Sequence, residues 1–299
     1  MRNTKFLSEP GNHTSGWLNW YKIIQCCVLL FFAVEIVGAQ TTSKNDSCFF
    51  IQLSDPQFGM FKQNANFEKE TALYKKAIDG INELKPDFVV ITGDFVHNQN
   101  SEEQINEFIR LTAAVNPSIP VYYSPGNHDI GVTPDKESLK KYRKNYGKDR
   151  FVFSHKGSLF IGFNTSLIKG KLEKEEKEQY KWLEKQLRKS DKFNKTVLFC
   201  HYPFFIKNVD EPTAYTNIDI EVRKKYLDLF AANGVDAVFT GHHHDNILNV
   251  YGDIELITTS AAGMPLGNAP SGMRIIKIFN DKIEHEYFGF DEIPVSVEF

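Results

Sequence analysis

The sequence predicts an α/β fold built on a parallel sheet, and two observations carry that expectation. Short continuous apolar runs alternate with amphipathic helical stretches through the first part of the chain, the pattern of parallel strands joined by crossover helices. Clusters of Asp, Asn and His follow directly on several of those runs, and ligands in open α/β folds gather at the carboxyl ends of strands.

Cys48 to Ser54 (CFFIQLS) is the first strand. Glu68 to Leu84 is a helix, with Leu73, Ala77, Ile78, Ile81 and Leu84 on one face, and Lys85-Pro86-Asp87 ends it. Phe88 to Thr92 (FVVIT) reads as a fully buried parallel strand. Ser101 to Val115 is a second helix, with Ser101 as N-cap and Glu102 and Glu103 in its first turn. Ile119–Tyr123 is the next strand, and strands near Phe151–Phe153 and Leu159–Phe163 follow. Glu173 to Lys189 interleaves charges of both signs at helical spacing and reads as a solvated helix with Trp182, Leu183 and Leu187 facing inward. Thr196–Cys200 is a strand, Glu221–Asn233 a helix and Val235–Thr240 a strand. Ile247–Val250, Glu255–Thr259, Met273–Phe279 and Ile283–Tyr287 are short and closely spaced, so a second, antiparallel sheet is expected from them.

The 299 residues suffice for one large domain with a sizeable core. A formal net charge of −3 supplies no basic field for nucleic acid. The segment Ile23–Ala39 is apolar apart from Gln25 and Glu35, follows Arg2, Lys5 and Lys22, and ends in Val37-Gly38-Ala39. It is short for a spanning helix, and small residues suit a signal-peptidase cut before Gln40. The preferred reading is a cleaved signal peptide in 1–39, with an uncleaved membrane anchor as the alternative. Residues 40–47 then form a polar linker and 48–299 the domain, placed in the secretory lumen or outside the cell. Asn45, Asn164 and Asn194 begin glycosylation sequons, and Asn45 and Asn194 are expected to be exposed. Cys26 and Cys27 fall in the leader; Cys48 and Cys200 are expected at opposite edges of a sheet and hence unbridged.

Five clusters each follow a strand: Asp55-Pro56-Gln57, Gly93-Asp94, Gly126-Asn127-His128-Asp129, His201 and Gly241-His242-His243-His244. Taken singly, each has a plain reading as a turn, a cap or a surface accident. Together they are a hard-to-borderline ligand set for Mn²⁺, Fe, Zn²⁺ or Mg²⁺, and a shared carboxylate can bridge two cations.

In this order the clusters resemble the calcineurin-like metallophosphoesterase superfamily across about residues 48–290. FIQLSDPQFG (50–59), GNHDIGVTP (126–134) and SAAGMPLGNAPSGMR (260–274) resemble more narrowly the calcineurin-like phosphoesterase domain-containing protein 1 group, described as Ser/Thr protein phosphatases. The resemblance implies a four-layer αββα sandwich of two mixed sheets flanked by helices. It implies a first metal on Asp55, Asp94 and His244, and a second on Asp94, Asn127, His201 and His242. It leaves His128 free of metal, to stabilise the phosphoryl group or protonate the leaving oxygen, with His243 pointing away. The reaction implied is phosphoester hydrolysis by a metal-bridged hydroxide, on a phosphomonoester or a Ser/Thr phosphoprotein.

Three departures qualify this. Gln57 stands where the superfamily usually has His, so the first metal is expected to bind more weakly or to keep a water there. The second motif continues Phe95-Val96-His97-Asn98, without the phosphate-binding Arg of the classical protein phosphatases or the Tyr of purple acid phosphatases. His97 is either an outer partner of His128 or substrate, or simple packing. A phosphodiesterase acting on nucleotides or lipid head groups and a non-catalytic metal-bound scaffold remain as alternatives. A leader also sits awkwardly with the cytoplasmic placement of the resembled group.

Overall fold

The computed structural model describes residues 47–299. The expected leader with Cys26 and Cys27, Asn45 and most of the 40–47 linker lie outside the described residues. No described helix is long and apolar enough to cross a membrane.

In chain order, β1 (Cys48–Leu53), α1 (Glu68–Leu84), β2 (Val89–Ile91), α2 (Glu102–Thr112) and β3 (Val121–Tyr123) form the strand–helix alternation read from the sequence. Helices α3 (Asn127–Ile130) and α4 (Lys136–Tyr146) follow, then β4 (Phe151–His155) and β5 (Ser158–Gly162). After α5 (Thr165–Lys169) and α6 (Glu173–Leu187) come β6 (Lys195–Phe199), α7 (Ile220–Ala232) and β7 (Ala237–Thr240). Two hairpins complete the chain: β8 (Ile247–Tyr251) with β9 (Ile254–Thr258), and β10 (Gly272–Ile278) with β11 (Ile283–Gly289).

The strands form two mixed sheets, ordered β11-β10-β1-β2-β3 and β4-β5-β6-β7-β9-β8. Strands β1, β2 and β3 are parallel, as are β5, β6, β7 and β9. Three apolar clusters set the layers. One packs Ile51 and Leu53 of β1 against Tyr74, Ile78 and Ile81 of α1 and Phe108 of α2. A second packs Leu198 and Val238 against Leu183 of α6 and Tyr226 and Phe230 of α7. The third lies between the sheets, where the Phe50 ring meets Phe160 at 5.7 Å, Phe199 at 5.5 Å and Phe239 at 6.1 Å. Alternate residues of β1 thus serve opposite faces, as the pleat requires. The result is a four-layer αββα sandwich.

The four C-terminal strands do not make a sheet of their own. β9 pairs parallel with β7, while β10 pairs antiparallel with β1. Both strands are apolar on both faces. Leu256 serves the helix-side cluster and Ile257 the inter-sheet cluster, and Ile275 and Ile276 divide the same way. A separate sheet would leave one such face in water. Helix α4 was not read from the sequence. Its signals are an Asp135 N-cap accepting from Ser138 N at 2.7 Å and a narrow stripe of buried Leu139 and Tyr142.

Cys48 and Cys200 are buried and unbridged, but they belong to different sheets: Cys48 lies in the inter-sheet cluster and Cys200 in the helix-side cluster of the other sheet. Burial pushes the Cys48 thiol up to about 12. Asn164 is fully buried and caps α5, accepting from Ser166 N, so it presents no surface for a glycan. Asn194 is exposed, its amide donating to Asn280 Oδ1 at 2.9 Å.

A polar tie joins the sheets near one end. Gln52 Nε2 donates to Thr92 Oγ1 (2.9 Å) and to the Thr240 carbonyl (3.1 Å), and Gln52 Oε1 accepts from Thr259 Oγ1 (2.6 Å). Fully buried and fully paired, this network fixes the relative position of β1, β2, β7 and β9. Asp55, Asp94 and His242 follow directly on the strand ends it holds.

Candidate dinuclear metal site

The loops after β1, β2 and β7 are locally strained. Asp55 (φ +50°), Gln57 (+38°), Asp94 (+50°), His242 (+69°) and His244 (+57°) all adopt the left-handed region, which costs a non-glycine residue of order 1 kcal/mol or more. Cross-loop hydrogen bonds hold them there: Asp55 N donates to Gly93 O (3.1 Å), Gln57 N to Asp94 O (2.9 Å) and His242 N to Asp55 Oδ2 (3.0 Å). Two glycines are required by close approach. A Cβ on Gly126 would stand 2.1 Å from Asp94 Oδ1, and one on Gly241 would stand 2.5 Å from Asp55 Oδ2.

Strain of this kind brings lone pairs together. His201 Nε2 lies 3.1 Å from Asn127 Oδ1, 3.2 Å from Asp94 Oδ2 and 3.2 Å from His242 Nδ1. Alongside, Asp55, Asp94 and His244 form a second group whose ligand atoms lie within 4.8 Å of one another, with His244 Nε2 at 3.3 Å from Asp55 Oδ1. Asp94 belongs to both groups.

The protons of the three histidines sit on the far side of each ring. His201 Nδ1 donates to Thr92 O (2.8 Å), His242 Nε2 to Tyr215 O (3.0 Å) and His244 Nδ1 to Met264 O (2.6 Å). A carbonyl can only accept, so in the neutral ring the inward nitrogen carries the lone pair. One proton at most cannot satisfy His201 Nε2 and the three such atoms around it. A cation with ligands at roughly 2.0–2.2 Å needs neighbouring ligand atoms about 3 Å apart, and the observed spacings match. Asp55 Oδ1 and Gln57 Oε1 are buried without a hydrogen-bond partner, which also suits a metal beside them. The donor set therefore fits two cations.

The charges agree. Burial opposes ionisation of Asp94, but His201 and His128 outweigh it and hold the carboxyl below the usual range. Asp55 is likewise held low, with His244 overcoming burial. Burial opposes the His201 imidazolium, yet Asp94 takes it up to about 9; burial and His201 together pull His242 down to about 3. Two buried carboxylates beside three imidazoles demand a counter-charge.

His128 is outside both groups. Its backbone N donates to Asp94 Oδ1 (2.8 Å), and its Nδ1 donates to the His97 carbonyl (2.8 Å). The His97 ring stacks on it, with centroids 4.9 Å apart, and Gln57 Nε2 lies 3.4 Å from His97 Nδ1. His243 is half-buried and joins neither group. Among the described residues, no lysine or arginine is hydrogen-bonded or ion-paired to these side chains.

Sequence reasoning singled out Asp129 within its cluster without giving it a role, and it missed Tyr215. Asp129 accepts from Phe95 N and Gly126 N, both at 2.8 Å, and so sets the turn that presents Asn127 and His128. Tyr215 receives the His242 proton on its carbonyl and an Asn127 Nδ2 hydrogen bond on its hydroxyl (3.1 Å). It comes from the polar stretch after Pro203, which carries no motif.

The comparisons with known proteins converge on one family. The family model for calcineurin-like phosphoesterases matches residues 50–246. The chain is 33% identical over 264 residues to serine/threonine-protein phosphatase CPPED1 of Bos taurus, covering 82% of this chain and 84% of that protein. It is 34% identical over 205 residues to a probable glycerophosphodiester phosphodiesterase GpdQ of Arcobacter nitrofigilis, covering 64% and 68%. Among solved structures, a dimetal phosphatase from Danio rerio superposes with a TM-score of 0.60 at 13% identity, covering 82% and 97%. Matched by sequence over most of its length and by fold to a dimetal phosphatase, this chain belongs to the calcineurin-like phosphoesterase family and is a metallophosphoesterase, a hydrolase of phosphoester bonds.

Proposed function

We propose that the chain hydrolyses phosphomonoesters with two divalent cations, Mn, Fe, Zn or Mg. One would be held by Asp55, Asp94, His244 and Gln57 Oε1, the other by Asp94, Asn127, His201 and His242. The observation that carries this reading is the pair of buried donor groups sharing Asp94. When bound, such cations neutralise phosphate oxygens and bring the pKa of a water toward neutrality. The protein's part is to fix the tautomer of three imidazoles, so that each neutral ring turns its lone pair toward the centre, which the Thr92, Tyr215 and Met264 carbonyls do.

His128 is the proposed general acid. With Nδ1 committed to the His97 carbonyl, Nε2 is the position that can carry a proton to the leaving oxygen. The His97 stack fixes the plane of that ring. A Ser/Thr phosphoprotein is one candidate substrate, supported by the likeness to CPPED1. The likeness to the glycerophosphodiester enzyme, and the absence among the described residues of a lysine or arginine hydrogen-bonded or ion-paired to the site, favour a second reading, a phosphodiesterase. We also assign residues 1–39 as a leader, 40–47 as a linker and 48–299 as the catalytic domain, working in the secretory lumen or outside the cell. The support for that is the apolar run ending at Ala39.

Turnover of p-nitrophenyl phosphate and of its bis ester by the full chain with Mn²⁺ or Zn²⁺ tests the reading. Faster monoester cleavage supports it, and a tenfold preference for the diester replaces it with the phosphodiesterase. Full metal occupancy with no turnover of either would make the protein a scaffold.

A further inference from the structure

Tyr215 touches the metal-facing groups and also meets solvent. Its side chain is 55% exposed, its ring centroid lies 4.8 Å from that of His242, and its hydroxyl accepts from Asn127 Nδ2 at 3.1 Å. The other amide atom, Asn127 Oδ1, faces His201 Nε2. The phenol therefore sits one amide away from the second donor group.

The loop carrying it is anchored. The fully buried Arg223 donates through Nε and Nη2 to the Ile218 carbonyl (3.1 and 2.9 Å), and through Nη1 to those of Val209 (2.6 Å) and Glu211 (2.7 Å). Ala214, the preceding residue, is held at both ends: its N donates to Asn217 Oδ1 (2.8 Å) and its carbonyl accepts from Lys169 Nζ (2.7 Å). A side chain half in water on so constrained a backbone is preorganised to meet a ligand.

The proton inventory gives its task. Tyr215 Oη accepts from Asn127, so its single O–H proton is the one still to be placed. Among the described residues no acceptor takes it. Among the described residues no lysine or arginine is hydrogen-bonded or ion-paired to these side chains, so none is held there to receive an arriving phosphoryl group.

We propose that the Tyr215 hydroxyl donates a hydrogen bond to a phosphoryl oxygen of the substrate and is a phosphate-binding contact of the site. This rests on the reading of the site as a phosphoesterase centre. A neutral donor does not distinguish a doubly charged monoester from a singly charged diester as a cation would. The site should therefore accept both classes, with the monoester preference set by the metals alone.

The test uses the full chain with Mn²⁺, comparing wild type, Tyr215→Phe and Tyr215→Arg. Calorimetry reads inorganic phosphate affinity, and metal analysis reads ions per chain. Tyr215→Phe keeps the ring against His242 and the carbonyl that takes its proton, and removes only the hydroxyl. The expected result is unchanged metal content with phosphate bound about tenfold more weakly, and a matching fall in kcat/KM on p-nitrophenyl phosphate. Tyr215→Arg should restore phosphate affinity and raise the monoester-to-diester rate ratio. Phosphate affinity within twofold of wild type in Tyr215→Phe overturns the proposal. Loss of metal in Tyr215→Phe also overturns it, because the hydroxyl would then only orient Asn127. A wild-type chain that binds phosphate but turns over no phosphoester refutes the hydrolase reading, and the phosphate measurement still decides the role of Tyr215.

Discussion

Asp94 Oδ2 lies 3.2 Å from His201 Nε2, while Asp94 Oδ1 accepts the backbone N–H of His128 at 2.8 Å. One carboxylate thus joins the proposed ligands to the proposed acid. Its backbone is in the left-handed region, and its neighbour Gly126 is glycine because a Cβ there would overlap Oδ1. The strain, the close approach and the shared carboxylate are parts of one arrangement.

Replacing Asp94 with Ala removes the only group common to both donor sets. Both cations should be lost on desalting, and turnover should fall well beyond the ~10–100-fold typical of losing an outer-shell partner. Metal analysis and turnover on the same sample check this. Retention of both ions would refute the shared-ligand assignment.

His128→Ala should separate metal from chemistry. It leaves every proposed ligand in place, so metal content stays at the wild-type level while kcat falls by roughly 10²–10⁴, the usual worth of a positioned general acid. Full turnover in this variant would show that the leaving group takes its proton elsewhere.

The two metal positions should differ in strength. The second has two imidazoles, an amide and a carboxylate; the first has one imidazole, two carboxylates and the Gln57 amide. Titration with a chelator should release one ion well before the other. Gln57→His should tighten the weaker one, since imidazole is the stronger ligand. Release of both ions in a single step would contradict the asymmetry.

The His201 imidazole gives a pH signature. Its pKa in the folded chain without metal is about 9 against 6.5 for the free side chain, because Asp94 outweighs the effect of burial. A raised pKa means that protonation stabilises the folded metal-free chain fully below about 6.5. That stabilisation is lost as pH rises toward 9. Metal needs the deprotonated ring, so its binding strengthens over the same interval. The gap in Tm between metal-loaded and metal-stripped protein should widen from pH 6.5 to 9. A gap that narrows would place the proton elsewhere.

Much of this architecture was legible in the sequence for a physical reason. Each proposed ligand follows an apolar run such as FVVIT or AVFT, and a buried parallel strand announces itself by continuous hydrophobicity. The structure places Asp55, Asp94, Asn127, His201, His242 and His244 together at the matching strand ends. What was not legible depends on contacts distant in sequence. The assignment of β9 to β7 and of β10 to β1 is decided by which faces remain to be covered, which no local pattern records. Tyr215 meets His242 on a loop whose carbonyls Arg223 gathers and whose Ala214 is tied to Asn217 and Lys169. Helix α4 was hidden by its charge, since KESLKKYRKNY offers a narrow apolar stripe and its clearest mark is a capping box.

The most direct measurement is an anomalous difference map from crystals of the full chain grown with Mn²⁺. The account predicts two peaks about 3.5–4 Å apart, one on each side of the Asp94 carboxylate, with His201 and His242 at one and His244 at the other. A single peak, or peaks that do not share Asp94, would contradict it.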